Sequence, residues 1–280
     1  MGCPLNIAGK TDVGKNRKNN EDYFLFESEL GLMIVADGMG GHNSGEVASK
    51  LAATICLEQL KKSLRTGHVP VFFHVPPNPN LDSRSLLLGD CVKFSNSAVY
   101  EAAQGNPEHK NMGTTLVAAL WLDNKIAVAH VGDSRLYRFR NNDLIQCTMD
   151  HSFIQEQLNK GLINPEEAEK SEMQNLLTRS IGIEQDVTVD ISEIDIQPGD
   201  YILLCSDGLT KMLSHEEICA VFSEEENPDR IVDKLIGLAN ERGGRDNITA
   251  LVAKVEGNPA GWKSFKDRFK LLFKKKPEKN

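Results

Sequence analysis

The chain has 280 residues, of which 40% are hydrophobic and 26% charged, so it is long enough to bury a sizeable core and is not disordered. A net charge of -8 at pH 7 argues against nucleic acid as the main partner. The start of the chain has no apolar run of signal-peptide length, and no segment approaches a membrane span, which predicts a cytoplasmic protein. The six scattered cysteines are expected to be reduced thiols.

The first third of the chain predicts one strand followed by helices. An apolar run at 32–36 predicts a strand, and 44–64 predicts a helix with Val47, Leu51, Ile55 and Leu60 on one face. The proline-rich segment 69–81 predicts a loop to which we assign no function. A second helix is predicted at 86–103.

Most of the remaining chain predicts strands that pair as hairpins. Asp123-Asn124 and Asn141-Asn142-Asp143 are typical hairpin turns between apolar runs. The capping-box sequence from Ser214 to Glu217 predicts a helix through 222, and Asn227-Pro228 begins another. Because strands and helices come in separate groups, the order predicts an α+β fold. The predicted strands lie at 114–122, 126–131, 136–139, 144–148, 187–196, 201–205 and 248–255.

Three of the apolar strands end in an aspartate beside a glycine, at Asp37, Asp133 and Asp207. A single Asp-Gly pair is most often a hairpin turn, but three such ends weaken that explanation. Glu21-Asp22 and Asp246 add acidic groups next to two further strands. Several carboxylates that converge from strand ends need a cation between them, and magnesium and manganese prefer oxygen ligands.

Seven motifs make the chain resemble the metal-dependent protein phosphatases of the type-2C (PPM) family, in particular the compact bacterial type. The resemblance covers about 6–256 and implies a four-layer αββα sandwich of two antiparallel sheets flanked by helices. The motifs are, in chain order, Thr11-Asp12-x-Gly14-x-x-Arg17-x-x-Asn20-Glu21-Asp22, Val35-Ala36-Asp37-Gly38-Met39-Gly40-Gly41-His42, Gly113-Thr114-Thr115, His130-Val131-Gly132-Asp133-Ser134-Arg135-Leu136-Tyr137, Asp150-His151-Ser152, Ser206-Asp207-Gly208-Leu209 and Gly244-Arg245-Asp246-Asn247-Ile248-Thr249.

The resemblance implies that carboxylates hold two divalent cations, manganese or magnesium. Asp37 would bridge both ions, with help from the Gly38 carbonyl. Asp207 and Asp246 would bind the first ion and Glu21 the second. Asp22 would support the site through water or through contacts with its ligands. Together these ions would activate water for attack on a phosphate ester.

Two further side chains have an implied role in the chemistry. Arg17 would bind the substrate phosphate, because a guanidinium matches phosphate oxygens bidentately. His42 is a candidate general acid for the leaving alkoxide, with a purely structural histidine as the alternative. Many relatives bind a third metal, and in this chain its ligands would be Asp133 and Asp207. Lys211 stands where some members have aspartate, so a third ion should bind more weakly here.

Two segments are predicted to lie beside or outside the catalytic domain. Residues 151–175 would form a mobile flap next to the site, which suits a role in substrate choice. A composition break near Gly257 divides a domain at 1–256, with a charge of -14, from a tail at 257–280 with a charge of +6. The tail is predicted to form a basic amphipathic helix, which either lies on an anionic membrane surface or docks on the domain. Its apolar face would consist of Trp262, Phe265, Phe269, Leu272 and Phe273.

The predicted function is hydrolysis of phosphoserine and phosphothreonine in proteins during phosphorylation signalling. The expected partners are phosphorylated proteins, either kinase substrates or a cognate kinase. We expect a monomer that is cytoplasmic or peripheral at the inner membrane surface. One alternative is a catalytically weak phospho-sensor or scaffold with the same fold, although such a protein should have lost metal ligands. A metal nuclease would need a basic groove, and the acidic domain opposes that reading.

Overall fold

The protein is described here by a computed structural model that covers residues 5–40, 44–66, 78–171 and 173–256. The loop at 69–77, His42 and the tail at 257–280, each with a prediction above, lie outside these residues. The strands are β1 Leu5–Asp12, β2 Asp22–Glu27, β3 Leu32–Met39, β4 Gly113–Thr114, β5 Leu116–Leu122, β6 Lys125–Val131, β7 Arg135–Arg140, β8 Asp143–Gln146, β9 Asp190–Asp195, β10 Tyr201–Cys205 and β11 Ile248–Val255. The α-helices are α1 Ser44–Thr66, α2 Ser83–Gly105, α3 Phe153–Asn159, α4 Pro165–Lys170, α5 Asp207–Thr210, α6 His215–Glu224 and α7 Pro228–Glu241, with a 3-10 turn at Pro107–His109.

The strands form two antiparallel sheets. The first sheet has the order β1-β11-β10-β7-β8, and the second has the order β2-β3-β5-β6-β9, with the short β4 paired to β3. The hairpin turns are those that the sequence predicts, since Asp123, Asn141 and Asn142 adopt the positive φ angles of tight turns. Two strand predictions were imperfect. The strand β1 was not predicted, and β9 is shorter than the predicted segment.

Three apolar layers hold the fold together and confirm the αββα architecture. The inner faces of the two sheets pack on each other through Met33, Val117, Leu136 and Leu204, among others. The helices α1 and α2 cover the outer face of the second sheet. The helices α5, α6 and α7 cover the outer face of the first sheet. The prediction of an α+β fold is therefore correct.

The helix α1 buries a face that overlaps the predicted one only in part, since Leu60 is buried as predicted. Val47 is 38% exposed, and Leu51 and Ile55 are only partly buried. Small side chains take the inward positions, which lets the helix backbone approach α2 and β3 closely. The buried face consists of Ala48, Ala52, Ala53, Cys56 and Leu60.

The predicted flap contains the two short helices α3 and α4. Its start pairs with the segment just after it through an isolated bridge between Ser152 and Leu177. The five cysteines among the described residues are unpaired thiols. Within the same part of the chain, no helix combines the length and apolar character needed to cross a bilayer.

Candidate metal centre

The acidic strand ends meet at one end of the two packed sheets. Asp37 closes β3, opposite Asp22 on β2, and Asp133 follows β6. From the other sheet, Asp207 follows β10, and Asp246 precedes β11. A cavity of about 250 Å³ opens where these ends converge. Seven of the predicted site residues line it, namely Arg17, Glu21, Asp37, Gly38, Asp133, Asp207 and Asp246.

Glu21 is positioned by hydrogen bonds to its backbone. Its N–H donates to Asn247 Oδ1 at 2.8 Å, and its C=O accepts from Ser49 Oγ at 2.6 Å and from the Gly38 N–H at 3.1 Å. A Cβ atom at Gly45 would lie 2.7 Å from the Glu21 Cδ, so only glycine leaves room for this carboxylate at the start of α1. Burial raises the pKa of Glu21, although Arg17 opposes the shift.

Asp37 is fixed by the two threonines that follow the 3-10 turn. Its N–H donates to Thr115 Oγ1 at 3.0 Å, and its C=O accepts from the Thr115 N–H at 2.8 Å and from Thr114 Oγ1 at 2.9 Å. Thr115 Oγ1 also lies 2.7 Å from Ser134 Oγ, next to Asp133. Burial raises the pKa of Asp37 well above its usual value, and the neighbouring carboxylates, Asp22 first, add to the shift.

Asp22 lies behind the cavity wall and is held by one of its two carboxylate oxygens. Its Oδ2 accepts from Ser206 Oγ at 2.7 Å and from Thr249 Oγ1 at 2.6 Å. Its Oδ1 is buried and has no hydrogen-bond partner among the described residues. Burial raises the pKa of Asp22 to about 6, against the effect of the two hydroxyl donors.

Asp207 shows the same division between its two oxygens. Its Oδ2 contacts the Lys211 Nζ, whereas Oδ1 is buried and makes no hydrogen bond within the described parts of the chain. Asp133, which is 8% exposed, also borders this region. Burial, with Asp207 and Asp150 nearby, raises the pKa of Asp133 to about 7, and Lys211 opposes that shift.

Arg17 lies against a predicted metal ligand. Its Nε is 2.8 Å from Asp246 Oδ1, and its Nη2 donates to Asp246 Oδ2 at 2.9 Å. The Arg17 side chain is 52% exposed, so it can rotate away from Asp246 without leaving a buried charge. The same two donors match the two oxygens of a phosphate.

These residues fit a pair of divalent cations. Three buried carboxylates with raised pKa values, those of Asp22, Asp37 and Asp133, stand close together. Within the described residues, one buried oxygen of Asp22 and one of Asp207 have no hydrogen-bond partner. Burial, together with repulsion between the carboxylates, raises these pKa values, and cations between the carboxylates would offset both effects. The ligand atoms are more widely spread than in a site for one ion. Among the described residues, a group of possible metal ligands whose ligand atoms all lie within 4.8 Å of one another is found at His130, His151 and Asp190. This group includes none of the predicted ligands.

Several residues that shape the site were not assigned a role from the sequence. Asn247 anchors the loop before Glu21, since its Nδ2 donates to the carbonyls of Val13 at 3.0 Å and Asn19 at 2.9 Å. Thr115 and Thr249 hold carboxylate residues through hydroxyls. These uncharged side chains lie inside the motifs quoted above, and that position is the signal that identifies them.

A second cavity, of about 750 Å³, adjoins the first, and Asp133, Asp207 and Lys211 line both. Arg135 and Asp150 add to the wall on the side of the sheets, while the flap contributes the opposite wall with Ile154, Gln155 and Leu158. The predicted flap therefore borders the space next to the carboxylates. Asn175, at the end of the flap, and Leu177, two residues beyond it, also line the smaller cavity.

Comparisons with known proteins agree with this geometry. Residues 11–249 match the family model described as protein phosphatase 2C. The protein phosphatase PhpP of Streptococcus pneumoniae is 34% identical over 258 residues, which are 90% of this chain and 98% of that protein. The serine/threonine phosphatase PstP/Ppp of Mycobacterium tuberculosis superposes with a TM-score of 0.78 at 34% identity, over 92% of this chain and 100% of that one. The catalytic domain of PstP in complex with two manganese ions has a TM-score of 0.74 at 35% identity, over 90% of this chain and 99% of that one.

Proposed function

We propose that this chain, which belongs to the protein phosphatase 2C family, removes phosphate from serine and threonine side chains of phosphorylated proteins. The observation that carries the proposal is the single cavity lined by Arg17 and the acidic residues from both sheets. The phosphatase names of its relatives, each matched over nearly the full length of both chains, support it. The cavity is acidic, which opposes a polyanionic nucleic acid as substrate.

Manganese or magnesium, bound as a pair of ions, would supply an activated water and offset negative charge in the transition state. The manganese-bound structure of PstP supports this choice of cation. In this chain Asp37 would contact both ions, with the Gly38 carbonyl beside it. Asp207 and Asp246 would hold one ion and Glu21 the other. Asp22, fixed by Ser206 and Thr249, would accept hydrogen bonds with its remaining oxygen.

Arg17 would bind and orient the phosphate. Its guanidinium already matches a planar pair of oxygens on Asp246. Arg17 would turn from Asp246 toward the substrate phosphate, and its exposure permits that movement.

His42 would donate a proton to the leaving alkoxide. Alanine at position 42 should slow hydrolysis of serine phosphate more than that of aryl phosphates, because an aryl oxide leaves without protonation. Equal losses on both substrate types would rule out the acid role.

A third cation would bind weakly between Asp133 and Asp207. The Lys211 Nζ contacts one Asp207 oxygen and adds a positive charge there, which disfavours another ion. Full turnover by Asp133→Ala at saturating manganese would argue against any catalytic use of a third ion.

The tail at 257–280 follows the catalytic domain at 1–256 and would bind anionic membranes. The protein would then be a monomeric cytoplasmic enzyme that is peripheral at the inner membrane surface. Its net charge of +6 and its apolar residues support this role. The full chain should sediment with phosphatidylserine vesicles, whereas a chain that ends at Gly257 should stay in the supernatant. Equal sedimentation would remove the membrane role and favour docking on the domain.

The function is tested by hydrolysis of p-nitrophenyl phosphate and a phosphothreonine peptide, with manganese, magnesium or EDTA. Wild type should turn over both substrates with either metal, and EDTA or Asp207→Ala should abolish turnover. A folded, metal-loaded protein that binds the phosphopeptide without hydrolysing it would instead be a phospho-sensor. Phosphoproteins made by a kinase, or the kinase itself, are the substrates to examine next.

A further inference from the structure

The motif Asp150-His151-Ser152 has no role in the mechanism above, yet each of its side chains contacts a different part of the site. Asp150 accepts from Arg135 Nε at 2.9 Å and from Arg135 Nη2 at 2.7 Å. Ser152 caps the flap helix α3 by accepting from the Gln155 N–H at 3.3 Å. The motif therefore joins the edge of the sheet to the start of the flap.

His151 lies at the centre of these contacts and is 2% exposed. Its backbone N–H donates to the Gly132 carbonyl at 2.9 Å, and its Nδ1 accepts from the Gly132 N–H at 3.1 Å. Both hydrogen bonds hold the residue next to Asp133. Because Nδ1 accepts, the neutral ring carries its proton on Nε2. That nitrogen lies 3.3 Å from Asp190 Oδ2.

The segment that follows the flap also contacts His151. The Thr178 N–H donates to the His151 carbonyl at 2.9 Å. The next residue, Arg179, lies 2.6 Å from Asp190 Oδ1 and donates to the Thr188 carbonyl at 3.3 Å. His151 and Arg179 together hold the pKa of Asp190 well below its usual value. The start of the flap and the segment just after it thus both contact His151, which in turn contacts Gly132.

The larger cavity lies beside these contacts, because Asp150 and Ser152, the two neighbours of His151, line it together with Asp133 and residues of α3. We propose that His151 is a positioning residue that fixes the gap between the flap and the Asp133 wall, and so sets how a phosphopeptide is held beside the phosphate site. This inference rests on the proposed function. A substrate too small to reach the flap should be insensitive to the gap.

The same cluster has the composition of a metal site, because His130, His151 and Asp190 have ligand atoms within 4.8 Å of one another. Its geometry favours the positioning role instead. The two imidazoles are stacked, with centroids 4.6 Å apart and planes 22° apart, so their nitrogens do not converge on one point. The Arg179 guanidinium on Asp190 would also repel a cation.

Three variants separate the two arms of His151. His151→Asn keeps an acceptor for the Gly132 N–H and loses the contact with Asp190. Asp190→Asn removes the negative charge that faces His151, and it also weakens the ion pair with Arg179. His151→Leu removes both arms. His215→Asn, at an exposed histidine on α6, is the matched control.

The assays are steady-state kinetics with both substrates and the rate of tryptic cleavage after the exposed Lys160 in the flap. His151→Asn and Asp190→Asn should each raise KM for a phosphothreonine peptide about tenfold, since each weakens the close approach of His151 Nε2 to the charged Asp190 carboxylate. Both should speed flap cleavage and leave kcat/KM for p-nitrophenyl phosphate within about twofold of wild type. The double variant should be no worse than Asp190→Asn alone, because that variant already weakens the contact that His151→Asn removes.

The His151→Leu variant should also lower kcat, because the Gly132 N–H loses its side-chain acceptor next to Asp133. If it fails to fold, the Asn variants still decide the matter. Wild-type peptide KM and flap cleavage in both Asn variants would overturn the proposal. Binding of a zinc ion that His130→Ala abolishes would also overturn it, by assigning the cluster to a metal. Loss of activity on both substrates in wild type would instead contradict the proposed function.

Discussion

Asn247 offers a test of how the loop that carries Arg17 and Glu21 is held. Its side chain makes three hydrogen bonds, because Oδ1 accepts from the Glu21 N–H and Nδ2 donates to two carbonyls of that loop. Asn247→Asp keeps the shape and the acceptor but turns the donor into an oxygen that faces two carbonyls. Each of the two carbonyls that lose their donor costs about 1–3 kcal/mol, so the total loss of unfolding free energy is about 2–6 kcal/mol.

This loss should lower Tm by about 5–15 °C for a domain of this size. It should also lower kcat/KM at least about tenfold at saturating manganese, since the loop positions two site residues. Calorimetry in EDTA and phosphopeptide kinetics measure the two effects. The matched control is Asn227→Asp, because Asn227 caps α7 as an acceptor and aspartate caps equally well. A variant at 247 that melts within about 2 °C of wild type, with normal turnover, would refute the reasoning.

Three further predictions follow from the site. Folding raises the pKa of Asp22 from 3.8 to about 6 and that of Asp133 from 3.8 to about 7, so the folded protein binds more protons than the unfolded chain. The contribution of these two carboxyl groups to stability therefore falls as the pH rises from about 4 to about 7. Manganese should therefore raise Tm more at pH 8 than at pH 6, and equal increments would contradict the account. Gly38→Ala places a Cβ 2.1 Å from a carbonyl oxygen of α1 and should cost about 1–3 kcal/mol in urea denaturation, whereas Gly105→Ala, which meets open space, should cost nothing. Arg17→Lys should raise KM for both substrates about tenfold by losing bidentate contact, and an unchanged KM would remove Arg17 from phosphate binding.

The charged part of the site could be predicted from the sequence because charge and motif spacing identify it directly. Asp37, Asp207 and Asp246 each stand next to an apolar strand, and the structure brings them to one cavity. The hairpin turns were predictable for the same local reason, since Asn141 and Asn142 favour positive φ.

What the sequence did not predict depends on contacts between distant segments. Arg17 lies against Asp246, which is 229 residues away, and no local pattern specifies that pairing. The packed face of α1 is set by small side chains such as Ala52 that permit close approach, whereas the prediction relied on large apolar residues such as Val47. The role of His151 depends on three segments that meet only in the folded chain.

The most direct test of the central claim is phosphate release from a phosphothreonine peptide by wild type and Asp37→Asn at saturating manganese. Asp143→Asn, an isosteric change at an exposed hairpin residue, is the control. The account predicts that the control keeps wild-type turnover and that Asp37→Asn, although folded, loses at least about a thousandfold in kcat/KM, because asparagine removes the charge that would hold both ions. Turnover by Asp37→Asn within about tenfold of the control would show that the hydrolysis does not depend on this carboxylate centre.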